Sequence, residues 1–260
     1  MRPKGKVRKL LNLFTWNLTR LRFPVKHKIE LEKLGTDYGG WTIPKNILNE
    51  KSVCYLAGAG EDISFDISIA EKYHSQVFIF DPTPRAKIHF DELVKHVNNG
   101  EPMIVNNIPS DIYSVSKGNV GKLKFLEVGL WDKTEQLKFF VPQNPTEVSH
   151  SIVNLQQTEN YFLASVKRLS EIMKELGHRS IDLLKLDIEG AEYKVIDSFL
   201  DDKLDIKVIC IEFDEANSPL DFLYCLRLHK SIKKIINAGY SIVYKDNRYD
   251  YTFVRNDVLV

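Results

Sequence analysis

The chain has 260 residues, 36 Lys/Arg against 35 Asp/Glu for a formal +1, and the 43% apolar share of a globular protein, enough for one large α/β domain or two small ones. Cys54, Cys210 and Cys225 lie in apolar runs with no CxxC or Cys/His spacing, which indicates neither a disulfide framework nor a zinc site and predicts core thiols in a reducing compartment. No apolar run nears the roughly 20 residues of a membrane helix and no signal-peptide pattern opens the chain, so a cytoplasmic protein is expected, with peripheral membrane contact through residues 1–34 left open.

Residues 1–34 hold ten Lys/Arg against Glu30 and Glu32, a net +8, which leaves −7 on the rest. Within that segment Leu10, Leu11, Leu13, Phe14, Trp16, Leu18, Leu21 and Phe23 are interleaved with the bases, the pattern of a basic amphipathic helix. Two readings stand: a helix lying on a membrane or partner, or one packed on its own domain with the basic face solvated. Gly35, Gly39, Gly40 and Pro44 then break the pattern, which predicts an arm over 1–40 and a body over 41–260.

The body alternates strand and helix. SVCYLA (52–57) reads as a strand running into Gly58-Ala59-Gly60, and Ile63, Ile67 and Ala70 recur at helical spacing. QVFIF (76–80) is a second buried strand; Pro84 then opens a helix carrying Phe90, Leu93, Val94 and Val97 and closed by Gly100. KLKFLEVGLW (122–131) and QLKFFV (136–141) read as strands, while Val166, Leu169, Ile172, Met173 and Leu176 mark a helix stopped by Gly177. Strands at 181–187 and 207–213 alternate with helices on Ala191–Phe199 and Phe222–Ala238, and residues 240–254 read as a hairpin. The prediction is an α/β Rossmann-like fold with a mostly parallel seven-stranded sheet and an antiparallel C-terminal hairpin.

In such sheets ligands bind beyond the carboxyl ends of the strands. After the first strand, Gly58, Ala59 and Gly60 let a cofactor lie against backbone, and Asp81 ends the second strand where an acid can accept ribose hydroxyls, with a helix N-cap as its plain alternative. A dinucleotide fingerprint needs a third glycine, where Ile63 stands. That disfavours NAD or FAD, whereas S-adenosylmethionine has no phosphate and its sulfonium suits an acidic body. In IDLLKLDIEGAEYKVI (181–196) a strand ends at Asp187, Glu189 follows, Gly190 allows close backbone approach, and Glu192 opens the next helix. Carboxylates crowded there with Lys185 are expected to have perturbed pKa values.

KLDIEGAE resembles the hallmark of the FkbM-type methyltransferase family. The resemblance extends over about residues 50–215, through GAG (58–60), FDPTP (80–84), EVGLWD (127–132), SHS (149–151) and IEFDE (211–215). It implies a class I methyltransferase fold, S-adenosylmethionine as cofactor, and O-methylation of a saccharide or other small hydroxyl acceptor. Where the family has Asp-x-Gly-Ala-Asn the chain reads Leu56-Ala57-Gly58-Ala59-Gly60, so Glu61 or Asp62 is expected to hold the cofactor's methionine end. Pro82, Leu130, Trp131 (stacked on adenine, or else simply core) and Asp187 complete the expected cofactor contacts. Asp187, then Glu189 and Glu212, are the candidate general bases, with a structural pairing to a nearby base as the alternative for Glu212; Lys185 and His150 are the candidate acceptor contacts, with a turn cap as the alternative for His150. No resident metal is assigned, although a divalent ion on Asp187 and a second acid would also lower a hydroxyl pKa. The competing readings are an N-acceptor, a catalytically idle binding module and a nucleotide-dependent oxidoreductase. Nucleic acid is not expected, since basic charge is confined to the arm.

Overall fold

Runs of Val, Ile, Leu and Phe with no polar alternation suit strands covered on both faces, and they form the centre of the molecule. The computed structural model describes residues 5–105, 108, 111–142, 150–154 and 158–259. The chain opens with helix α1 (Gly5–Arg22), then strands β1 (Leu31–Leu34), β2 (Trp41–Pro44) and β3 (Val53–Ala57), helix α2 (Ser64–Tyr73), β4 (Gln76–Phe80) and α3 (Pro84–Asn99). Next come β5 (Met103–Ile104), β6 (Ile112–Tyr113), α4 (Lys117–Val120), β7 (Leu123–Leu126), β8 (Gly129–Trp131), β9 (Glu135–Phe140) and β10 (Tyr161–Arg168). The remainder is α5 (Leu169–Leu176), β11 (Ser180–Leu186), α6 (Glu192–Asp201), β12 (Asp205–Glu212), α7 (Asp214–Asn217), α8 (Tyr224–Asn237), β13 (Tyr240–Lys245) and β14 (Asp250–Arg255).

The seven-stranded sheet runs β13-β14-β12-β11-β3-β4-β7. The pairs from β12 through β7 are parallel, and β14 lies antiparallel between β12 and β13. This is the mostly parallel sheet with an antiparallel C-terminal hairpin that the sequence predicts. Alternation along β11 and β12 divides the core. Leu183, Val208 and Cys210 join Ile67 and Leu93 of α2 and α3 on one face. Leu184, Leu186, Ile209 and Ile211 join Ile172, Phe199 and Ile232 of α5, α6 and α8 on the other. Strand order reverses between β3 and β11, so the crevice for a ligand falls at their carboxyl ends.

Three expectations change. The run 122–131 is two strands, because the chain leaves the main sheet after Leu126 and β8 joins a separate sheet ordered β8-β10-β9. Val166 belongs to β10, where it pairs with Gly129 and Glu135; the helix starts at Leu169. The glycines at 35–40 do not separate an arm from the body at residue 40, since they form the turn of the β1–β2 hairpin and Thr36 Oγ1 donates to Asp62 Oδ2 at 2.6 Å.

Helix α1 packs on the body with an unexpected face. Thr15 Oγ1 lies 2.8 Å from the Tyr224 hydroxyl and Thr19 Oγ1 2.6 Å from His229 Nε2. The Tyr249 hydroxyl donates to the Asn12 carbonyl at 2.8 Å, Trp16 meets Tyr249 edge-on, and Phe23 enters the core. Leu10, Leu13, Phe14 and Leu21 point to solvent. The basic side is therefore solvated as one reading has it, but most of the apolar side is solvated too. Among the described residues no helix is long and apolar enough to cross a membrane.

Candidate active site

At the reversal point a cleft of about 460 Å³ is lined from both sides of the sheet, by the β3 and β4 ends on one side and the β11 and β12 ends on the other. Its volume suits a nucleoside-sized ligand.

The first wall is the glycine turn. Gly58 has φ +86°, and a Cβ there would overlap the Asp187 carbonyl oxygen, so only glycine lets β3 and β11 exit this closely. Asp81 turns its carboxylate into that turn. One oxygen accepts from the amides of Ala59 and Gly60 at 2.9 and 3.1 Å, and the other from the amide and hydroxyl of Thr83 at 2.8 and 2.6 Å. The N-cap of α3 is Thr83 itself, so Asp81 does not cap the helix. Its carboxylate fixes the loop against which a ribose would rest.

Glu61 and Asp62 line the cleft, each with bonds already made. Glu61 takes a bidentate bond from Arg85 at 2.9 and 2.8 Å, and Asp62 accepts from Thr36 Oγ1 and the Ser64 amide. Leu56, in place of the family's acid, is buried in the core. Pro82 and Leu130 line the cleft, but Trp131 does not. Successive strand residues point to opposite sides, so β8 cannot present both Leu130 and Trp131. The expectation that Trp131 stacks on a cofactor in this cleft is thereby corrected.

The second wall is acidic. Lys185 is 4% exposed; its Nζ donates to the Gly58 carbonyl at 2.6 Å and lies 3.2 Å from Asp187 Oδ2. Burial works against its charge, but Asp187 and Asp66 outweigh that and hold it above the ordinary lysine range. Lys185 thus joins the two walls instead of standing free for an acceptor. Glu189 and Gly190 follow with φ +53° and +98°, consecutive left-handed residues that turn the chain sharply. The Glu189 amide donates to Asp214 Oδ2 at 2.9 Å and the Gly190 amide to Glu192 Oε1 at 2.8 Å.

Asp187, Glu212 and Asp214 each bring an oxygen within 4.8 Å of the others. Burial, reinforced by Asp187, Asp250 and Glu189, raises the Glu212 carboxyl far above its usual range. Burial followed by Glu189, Glu192 and Glu212 does the same to Asp214. Carboxyls so raised are biased toward their neutral forms. The trio also has the donor set of a divalent-ion site.

His150 lines the cleft with its ring edge-on to Phe162; Ser149 lies outside the described residues. Tyr38, Arg248 and Asp250 line it as well and are absent from the sequence expectations. Asp214 stands inside the IEFDE segment and could have been found there. Tyr38, Arg248 and Asp250 come from the β1–β2 turn and the C-terminal hairpin, and no local pattern marks them. An open backbone turn facing acids fits S-adenosylmethionine, whose adenosine would rest on Gly58–Gly60 and whose cationic end would meet the acidic wall.

A sequence profile described as Methyltransferase FkbM domain matches residues 57–242. "Methyltransferase 1" of Beauveria bassiana (strain ARSEF 2860) is 38% identical over 76 residues, 29% of this chain and 28% of that protein. Among solved structures, the METTL16 methyltransferase domain aligns over 97% of this chain and 82% of its own at 12% identity and TM-score 0.41. Aeropyrum pernix fibrillarin, in complex with natively bound S-adenosyl-L-methionine, aligns over 89% and 84% at 9% identity and TM-score 0.38. Likenesses this distant add nothing to the strand order of the main sheet.

Proposed function

The chain belongs to the FkbM methyltransferase family, and from that premise we propose that it methylates a hydroxyl oxygen of a saccharide or glycan-like acceptor. When bound, S-adenosylmethionine supplies an electrophilic methyl on a cationic sulfur. The residues of the chain then have two tasks. The cleft holds the acceptor oxygen in line with that methyl, where positioning supplies most of the rate. A carboxylate takes the hydroxyl proton as the new C–O bond forms and the methyl's bond to sulfur breaks, the neutral thioether being the leaving group.

The observation that carries this reading is the division of labour on the acidic wall. Asp187 stands at the β11 end with Lys185 3.2 Å away, while Glu212 and Asp214 are pushed toward their neutral forms. Asp187 is therefore the proton acceptor. His150 and Tyr38, on the cleft lining, contact the acceptor. The polar lining supports a hydroxylated acceptor.

The test is transfer of labelled methyl to a panel of mono- and oligosaccharides, with amines and RNA as controls. Label on sugar hydroxyls is expected; label only on amines or RNA would overturn the acceptor class, and failure to bind S-adenosylmethionine at millimolar concentration would favour an idle module. A second reading, a divalent ion on Asp187, Glu212 and Asp214, rests on their 4.8 Å grouping. It predicts activity lost to EDTA and restored by Mg²⁺ or Mn²⁺.

A further inference from the structure

Helix α1 inverts the usual arrangement. Its inward face is Asn12, Thr15 and Thr19, hydrogen-bonded to Tyr224, His229 and Tyr249, with Trp16 edge-on to Tyr249. Its outward face carries Leu10, Phe14 and Leu21, exposed by 67%, 64% and 77%, with Val7 and Leu13 beside them. At 3.6 residues per turn these five share one side of the helix. By the same spacing Lys9 and Arg20 border that side on one edge and Arg22 lies beyond the other, while Lys6 falls within it near the helix start.

A second group of exposed apolar side chains, Phe222, Leu223 and Leu226, lies at the start of α8, where Tyr224 bonds to Thr15 and Asn12. Residues 5–29 contain seven Lys/Arg and no Asp or Glu. None of the seven is ion-paired with a described carboxylate. A contiguous exposed apolar patch marks an interaction surface. Cations beside an apolar stripe match a layer with apolar chains beneath and negative charge above.

We propose that α1, with the start of α8, lies flat on an anionic lipid surface. The apolar stripe enters the boundary between headgroups and acyl chains, and the flanking cations reach anionic headgroups. Tyr249, bonded to the Asn12 carbonyl, stands in sequence between the cleft residues Arg248 and Asp250, so α1 packs on the segment that carries them.

The test is co-sedimentation of the full chain with phosphatidylcholine vesicles, with and without about one third phosphatidylserine. Binding to the anionic vesicles is expected, at least about tenfold weaker to the neutral ones or in about 0.5 M salt. Leu10→Ser, Phe14→Ser and Leu21→Ser together should keep the melting temperature, because these side chains are solvated, and weaken vesicle binding at least about tenfold. No binding of the wild-type chain to anionic vesicles overturns the proposal, as does a triple variant that binds equally well. If the wild-type chain instead self-associates without binding vesicles, and the triple variant is monomeric, the face is a contact between copies and the lipid assignment falls.

Discussion

The two walls of the cleft are both built from strand ends and both carry acids, yet they treat those acids in opposite ways. On the β3–β4 wall the carboxylates are engaged: Asp81 accepts four hydrogen bonds and Glu61 is clamped by Arg85. On the β11–β12 wall the acids crowd one another, and burial raises Glu212, Asp214 and Glu192. A satisfied carboxylate is scaffolding, because its charge is already met by donors that hold the loop. A crowded one responds to an arriving cation or proton, and only the second wall is made that way.

Replacing one acid on each wall gives the sharpest contrast. Asp187→Asn is expected to lower turnover by roughly 100-fold or more per folded molecule, with some loss of melting temperature because buried Lys185 loses a charge partner. A stable variant with full turnover ends the catalytic assignment. Asp81→Ala should act mainly on stability and binding. Losing four bonds to a charged acceptor should cost about 2–4 kcal/mol, read as a lower melting temperature and weaker cofactor binding together. Weaker binding at an unchanged melting temperature would make Asp81 a ribose contact instead of a loop anchor.

The pH dependence of stability differs as well. An acid whose folded pKa is raised binds its proton in the folded chain at a pH where the unfolded chain has lost it. Its contribution is intact below the unfolded pKa, about 4.3 for Glu, and is lost as pH rises toward the raised folded value. Glu212→Gln should therefore match the cofactor-free wild type at pH 4 and exceed it at pH 8 by about 1–2 kcal/mol, several degrees of melting temperature. Equal melting curves at pH 8 would show that Glu212 is not held neutral. The smallest effect belongs to Trp131→Ala, expected to leave cofactor affinity within about twofold, because Leu130 faces the cleft and Trp131 does not.

Much of this was legible in the sequence because it is local. GAG, the Asp81 strand end and KLDIEGAE each fit within one strand and its following turn, and they lie where the sheet brings them together. Tyr38, Arg248 and Asp250 reach the same cleft from both ends of the chain, and only tertiary packing makes them neighbours. The β8-β10-β9 sheet was obscured because 122–131 reads as one apolar run, although the chain changes sheets inside it. In α1 the rule that apolar faces turn inward misleads, since Thr15 and Thr19 find buried hydrogen-bond partners and the leucines do not need them.

The position of β14 bears on how the molecule acquires its shape. Every strand it touches precedes it in the chain, since it inserts between β12 and β13 and pairs Tyr251 with Ile211 some forty residues upstream. During synthesis β12 and β13 must therefore wait with open edges until residues 250–255 leave the ribosome. Such edges are templates for wrong pairings, and a late closure of high sequence separation is slow. Asp250 and Arg248 arrive with that strand, so a nascent chain has no complete cleft before its sheet has closed.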